Sequence, residues 1–298
     1  MRTVIVTASD EAYAPFLTGL LASLDQWESR PYGDVACFDV GLSPGTRAAV
    51  SRRVRHVIDP GWDLEVDRDL RERQPALRAV TVRPFLPRYF PGYDVYVWID
   101  ADAWVQERFA IERLIDAAAQ GALAAVPHAH DAYRTSQEVV DGRTQRMEAG
   151  FGREAVIHGQ WDAYLNAGVF ALHRDAPHWS CWARAFSSAL TATDGKLCSD
   201  QAPLNHAVWS EHLPVNLLPA IYNWLCHLAL PRRDPASGKF CEPTAPGDPI
   251  GILHLTGYPK LTVRETDSDG PIDLAFPGRD VTASYQPYRS RLPWWRFR

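Results

Sequence analysis

The chain has 298 residues, 46% hydrophobic and 22% charged, which is enough apolar material for a full globular core in one α/β domain with insertions. A formal charge of −5 and a pI near 6.1 argue against nucleic acid as a partner. Five cysteines (Cys37, Cys181, Cys198, Cys226, Cys241), with no Cys-x-x-Cys pair, are expected as free thiols in a reducing compartment. Met1 to Thr7 runs straight into a strand pattern without a signal-peptide profile, and no stretch approaches the roughly 18–20 apolar residues of a membrane helix. A cytoplasmic protein is expected, peripheral to a membrane at most.

Thr3 to Ala8 is predicted as the first strand, and Tyr13 to Leu24 as a helix from the spacing of Phe16, Leu17, Leu20, Leu21 and Leu24. Asp34 to Val40 is a second strand. Ser43-Pro44 opens a helix by N-cap and first-turn chemistry, and Arg55 to Ile58 is a third strand. This βαβαβ start has the pattern of a mononucleotide-binding α/β fold, without Gly-x-Gly-x-x-Gly or Walker glycines. Asp63 to Phe90 is helical in composition but broken by Pro75, Pro84 and Pro87.

Val95 to Ile99 is entirely β-branched or aromatic, the composition of a strand buried on both faces. Asp100 and Asp102 follow at its carboxyl end, where open α/β sheets bind ligands. In an extended chain, i and i+2 share a side, so the two carboxylates can converge on a hard cation; alone, the pair also fits a solvated turn.

Glu107 to Ala119 is an amphipathic helix and Ala122 to Val126 a strand, ending in His128-Ala129-His130-Asp131. That cluster fits either a metal site or, better, a polar loop placed to touch a substrate. Residues 132–163 should form a helix plus an irregular loop. Leu165 to His173 reads as a strand with Asn166 at its entry, Ala176 to Leu190 as a helix with Trp179 and Trp182 in the core, and Ser199-Asp200-Gln201 as the cap of a helix running through Trp209. Val215 to Ala220 is a short strand, 231–248 a loop, and Ile250 to Leu255 a buried strand carrying His254. Two carboxylates and one imidazole suit Mn²⁺ or Mg²⁺, which would neutralise a diphosphate leaving group.

Five segments together resemble glycosyltransferase family 8, the retaining nucleotide-sugar transferases of the GT-A fold. They are Thr7 to Tyr13, Ile99-Asp100-Ala101-Asp102, Leu165 to Val169, Ser199 to Asn205, and His254 to Lys260. The resemblance spans about Thr3 to Lys260. It implies a GT-A catalytic domain over 1–265, a Rossmann-like nucleotide-binding half with a mostly parallel sheet, followed by a C-terminal extension over 266–298. It implies a UDP-hexose donor and a Mn²⁺ or Mg²⁺ ion held by Asp100, Asp102 and His254. Ala8 and Asp10 would meet the uracil, Ala101 and Asp102 the ribose, and Gly257 and Lys260 the diphosphate. Arg83 falls where the family keeps a basic residue on the donor. Asn166, Ala167, Asp200 and Gln201 would bind the sugar, with Asp200 and Gln201 the catalytic candidates and Gln201 facing the anomeric carbon.

Gln201 is an amide, a poor base and a poor nucleophile. That favours front-face substitution, in which the leaving phosphate takes the acceptor proton and the Gln201 carbonyl dipole stabilises the reacting centre. Ala12, Ala202, Leu261 and Thr262 depart from the family pattern, which motivates an alternative: a non-catalytic nucleotide-sugar or glycan-binding protein on the same scaffold. A nucleotidyltransferase would need a glycine-rich basic loop after the first strand and ranks last. The acceptor is not specified by the sequence. The tail Arg291 to Arg298 alternates cations and aromatics, as a peripheral membrane contact would.

Overall fold

A computed structural model of the chain describes residues 1–27, 32–158, 163–197, 199–244 and 246–256. In chain order its elements are β1 (Thr3–Ser9), α1 (Ala14–Asp25), β2 (Asp34–Asp39), α2 (Pro44–Ser51), β3 (His56–Ile58), α3 (Arg68–Arg73), α4 (Arg78–Thr81) and α5 (Leu86–Tyr89). There follow β4 (Val95–Ile99), β5 (Ala103–Val105), α6 (Arg108–Ala118), β6 (Leu123–Pro127), α7 (Gln137–Phe151), α8 (Arg153–His158), β7 (Leu165–His173), α9 (His178–Ala192) and α10 (Gln201–Ser210). The described chain closes with β8 (Val215–Leu217), β9 (Trp224–Leu225), β10 (Arg232–Arg233), β11 (Phe240–Cys241) and β12 (Ile252–His254).

Seven strands form the central sheet in the order β3-β2-β1-β4-β7-β6-β8. β3, β2, β1 and β4 are parallel, as are β6 and β8, while β7 runs antiparallel to both of its neighbours. The alternation within β4 divides the core. Val95, Val97 and Ile99 join Leu17, Leu20, Leu21, Ile111 and Leu114 on the face covered by α1 and α6. Tyr96 and Trp98 join Phe170, Trp179 and Trp182 on the face covered by α9. Deleting a ring as deeply buried as Trp182 costs about 3–5 kcal/mol. Prolines divide the segment 63–90 into α3, α4 and α5, because each removes a backbone donor and clashes with the preceding turn.

Within the mostly parallel sheet, the antiparallel β7 brings its start to the carboxyl edge of β4. Two expectations are corrected. The segment 132–163 holds two helices, α7 and α8. The segment 231–248 is not all loop: β10 and β11 pair antiparallel within it. A second, three-stranded sheet, β5-β12-β9, stands beyond the carboxyl edge of the first. Its registers place His254 opposite Ala103 and beside Leu225, so main-chain pairing carries His254 to the end of β4.

Candidate functional site

Asp100 and Asp102 do not meet by strand alternation. The Ala103 N–H donates to the Asp100 carbonyl at 3.0 Å, closing a tight turn at residues 100–103. The turn forms because the chain changes sheets there. Asp100 N still donates to Gly168 O of the large sheet (2.8 Å), while Leu255 N, of the small sheet, donates to Asp102 O (3.0 Å). His254 Nε2 then lies 3.3 Å from Asp102 Oδ1 and 3.6 Å from Asp100 Oδ2. One ligand atom of each of the three lies within 4.8 Å of the others, the single such group of His, Cys, Asp and Glu side chains among the described residues.

A chain of donors fixes the imidazole. The Gly168 N–H donates to Asn166 Oδ1 (2.9 Å), so that atom is the amide oxygen. Asn223 Nδ2 donates to the same oxygen (2.9 Å), which leaves Asn223 Oδ1 to accept from His254 Nδ1 at 2.9 Å. In the neutral ring the proton is therefore on Nδ1, and Nε2 presents a lone pair to two carboxylates. Such a set of acceptors fits a divalent cation. Gly168 keeps the space open: a Cβ there would lie 2.3 Å from His254 Cε1 and 2.5 Å from Asp100 Oδ2.

Arg83 is buried behind the acidic pair. Its Nη2 reaches Asp100 Oδ1 (2.7 Å), and its Nη1 reaches Asp200 Oδ2 (2.5 Å) and the Ala167 carbonyl (2.7 Å). The guanidinium lies over the Trp98 ring at 4.6 Å, and Trp98 Nε1 donates to Asp100 Oδ1 (2.8 Å). Burial still pushes the Asp100 carboxyl above the usual range, with Asp102 and Asp200 adding like charge while Arg83 and His254 pull it down. Asp200 precedes α10 but makes no side-chain cap; the carboxylate is held by Arg83 instead.

Gln201 opens α10. Its Oε1 accepts from Asn166 Nδ2 (2.8 Å) and from the Ala167 N–H (3.2 Å). A backbone N–H identifies that atom as the amide oxygen. Asn205, one turn on, accepts from Leu165 N (2.7 Å) and donates to Leu165 O (3.0 Å), tying α10 to the start of β7.

Ala8 lies near the carboxyl end of β1, opposite Phe38 of β2 and two residues beyond Val6, which pairs with Trp98 of β4. Asp10 caps the following turn through Tyr13 N (2.9 Å), and burial raises its pKa. Ala101 is buried in the α1–α6 core and Ala167 in the opposite one. Gly257, Lys260 and the tail Arg291 to Arg298 lie outside the described residues. The two histidines after β6 diverge. His128 Nε2 is 3.2 Å from Asn166 Nδ2, while His130 Nε2 is 2.9 Å from Glu242 Oε1 and its ring packs on Trp224. They form a polar loop rather than a shared metal site.

Sequence reasoning missed Trp98, Arg143, Asn205 and Asn223. Asn223 carried a signal, a lone amide in the apolar run Ile221 to Leu225. Arg143 carried none, being one cation in a polar helix.

The arrangement is that of a GT-A glycosyltransferase. Among solved structures the chain resembles the galactosyltransferase LgtC in complex with donor and acceptor sugar analogues, at 21% identity and TM-score 0.54, covering 86% of this chain and 88% of that one. An active-site glutamine-to-glutamate mutant of LgtC matches at 19% identity and TM-score 0.52, covering 85% and 87%. The bifunctional glycosyltransferase WbbM matches at 15% identity and TM-score 0.55, and this chain, 86% covered, spans 46% of that chain's length. The profile described as Glycosyl transferase family 8 matches residues 4–257, and the chain belongs to that family. It is a glycosyltransferase. No curated protein matches significantly. Among the described residues no helix is long and apolar enough to cross a membrane.

Proposed function

We propose that this enzyme moves a hexose from a UDP-sugar to an acceptor with retention at the anomeric carbon. Mn²⁺ or Mg²⁺ would be held by Asp100, Asp102 and His254. The observation that carries the proposal is the convergence of the Asp100 and Asp102 carboxylates and the His254 imidazole, whose ligand atoms lie within 4.8 Å of one another beside a glycine, Gly168, that leaves them room. When bound, a divalent ion supplies positive charge for the diphosphate.

The chain's own residues divide the remaining work. Ala8 and Asp10 meet the base, and the turn Ala101-Asp102 meets the ribose. Asn166, Ala167, Asp200 and Gln201 line the sugar. Arg83 holds the Asp100 and Asp200 carboxylates in place from behind. Gly257 and Lys260 take the diphosphate, as their sequence context implies. Asp200, the acid beside Gln201, is engaged by Arg83, which leaves it poorly disposed as a nucleophile or base. Front-face substitution is consistent with this. The bond from the anomeric carbon to the diphosphate oxygen breaks, the acceptor oxygen bonds on the same face, and its proton passes to the departing diphosphate. LgtC, a galactosyltransferase with donor and acceptor analogues bound and an active-site glutamine mutant, supports this assignment.

The test is release of UDP from UDP-glucose and UDP-galactose with Mn²⁺, followed by NMR of the product from an α-linked donor. An α-product supports the proposal; a β-product contradicts it and directs attention to Asp131 or Asp200 as a base. The cytoplasmic, membrane-peripheral placement belongs to the same proposal. Truncation after Ser290 is expected to lower co-sedimentation with anionic vesicles and spare UDP binding; unchanged sedimentation contradicts the membrane role.

A further inference from the structure

The apolar run Ile221 to Leu225 carries one amide, Asn223, and the proposed reaction assigns it no part. Asn223 follows a single helical turn, its N–H donating to the Ala220 carbonyl (2.9 Å). That turn is pinned to the small sheet by Gly251 N, which donates to Ile221 O (2.8 Å). β9 then pairs with β12, with Leu225 beside His254. Asn223, two residues before Leu225, therefore lies on the face that carries His254. It is fully buried next to two core residues, Trp224 and Leu225. An amide in such a place costs free energy unless its hydrogen bonds are made, and an apolar side chain would pack there without that cost.

Its hydrogen bonds join two halves of the site. Asn223 Oδ1 accepts from His254 Nδ1 at 2.9 Å, and Asn223 Nδ2 donates to Asn166 Oδ1 at 2.9 Å. The two ends are not interchangeable. The Gly168 N–H makes that Asn166 atom the oxygen, so the Asn223 nitrogen must face it and the Asn223 oxygen must face the ring. The other end of Asn166, Nδ2, donates to Gln201 Oε1 at 2.8 Å, and the Ala167 N–H donates to the same oxygen at 3.2 Å. Two consecutive backbone N–H groups of β7 thus orient three side-chain amides, and through them one imidazole.

We propose that Asn223 is a positioning residue with two roles. It turns His254 so that Nε2 faces Asp100 and Asp102, and it ties that ring through Asn166 to Gln201 on the sugar side. This rests on the proposed function in taking Asp100, Asp102 and His254 as the cation's ligands and Gln201 as lining the sugar. A ring free to rotate presents Nε2 to the carboxylates only part of the time, and a ligand that loses its outer partner holds a metal about 10–100-fold more weakly. The two roles use different atoms of one amide: the oxygen serves the cation side and the nitrogen the sugar side. An ionised carboxylate at position 223 keeps the first role and loses the second, because it accepts and cannot donate.

Three measurements test this. The first is ¹⁵N NMR of the metal-free, full-length protein labelled at histidine, with His254 assigned by the loss of its signals in His254→Gln. A proton on Nδ1 is expected; a neutral ring with its proton on Nε2 overturns the inference. This measurement needs no change at position 223 and decides even where Asn223→Leu fails to fold. The second is Mn²⁺ titration in the presence of UDP, read from the EPR signal of free Mn²⁺. Affinity is expected to fall about 10–100-fold in Asn223→Leu and to stay within about 3-fold of wild type, or tighten, in Asn223→Asp. The third is turnover of UDP-glucose or UDP-galactose at saturating Mn²⁺, expected to fall about 10-fold or more in both variants, since neither orients Asn166. Wild-type Mn²⁺ affinity in Asn223→Leu overturns the inference, and so do equal losses of affinity in the two variants. Wild-type turnover by Asn223→Asp overturns the tie to Gln201. A wild type that binds no Mn²⁺ or turns over no UDP-sugar, or normal Mn²⁺ binding by Asp102→Ala, would fail the proposed function instead, and the NMR would still decide how Asn223 holds the ring.

Discussion

Two buried arginines lie near the site, and their surroundings are opposite. Arg83 sits between Asp100 and Asp200 and over Trp98, within a network of carboxylates. Arg143 has only a neutral imidazole and the Tyr164 ring for partners among the described residues. The first spaces and holds charges that face the candidate cation site. The second packs against two neutral groups, the His128 imidazole and the Tyr164 ring. A buried cation beside acids offsets their charge, whereas one beside an imidazole and a ring is left with its desolvation cost.

The two should separate on mutation. Arg83→Ala strands two carboxylates in a poorly solvated place, and a loss of about 3–5 kcal/mol in denaturant unfolding is expected. A loss under about 1 kcal/mol would show that Asp100 and Asp200 find other partners. Next in size is the cation site. Gly168→Ala should abolish stabilisation by Mn²⁺, which for the wild type at a hundred times Kd amounts to about 2.7 kcal/mol. Undiminished Mn²⁺ stabilisation in that variant would mean the cation binds elsewhere.

Acid should expose His128. Its folded pKa is depressed, so below the ordinary 6.5 the unfolded chain takes up a proton that the folded chain refuses. Stability is retained above 6.5 and falls as pH drops, by at most about 1.4 kcal/mol per pH unit. His178 and His206 are held low by burial too and act in the same direction. The slope of wild type minus His128→Gln therefore isolates the one ring, and a zero difference would contradict its neutrality. Smallest of all, Arg143→Met should stay within about 1 kcal/mol of wild type, because a lost hydrogen bond is offset by relief of a buried charge. A loss as large as that of Arg83→Ala would erase the distinction between the two arginines.

Much of this was legible in the sequence where composition and structure share a cause. Val95 to Ile99 is buried on both faces, as its residue types require, and Asp100, Asp102 and His254 do come together. Strand direction was not legible. Nothing in Leu165 to His173 says that it runs antiparallel to β4, yet that reversal alone carries Asn166, at its start, to the acidic pair. The turn at Asp100 was equally hidden, because it arises where the chain changes sheets and both partners lie far along the sequence. The strands β10 and β11 are two residues each, too short for any period to register. The side chain of Asp200 was misjudged as a cap because a cap is a local event, and the partner that claims it, Arg83, is brought in by tertiary packing.

The central claim is that Asp100, Asp102 and His254 hold the divalent ion on which UDP-sugar turnover depends. The most direct measurement is Mn²⁺-dependent UDP release from UDP-glucose and UDP-galactose by wild type and Asp102→Ala, with Mn²⁺ and UDP binding followed on both proteins. Turnover that EDTA abolishes and Mn²⁺ restores, with metal and UDP affinity lost together in Asp102→Ala, is the predicted result. Normal Mn²⁺-dependent turnover by Asp102→Ala would contradict it.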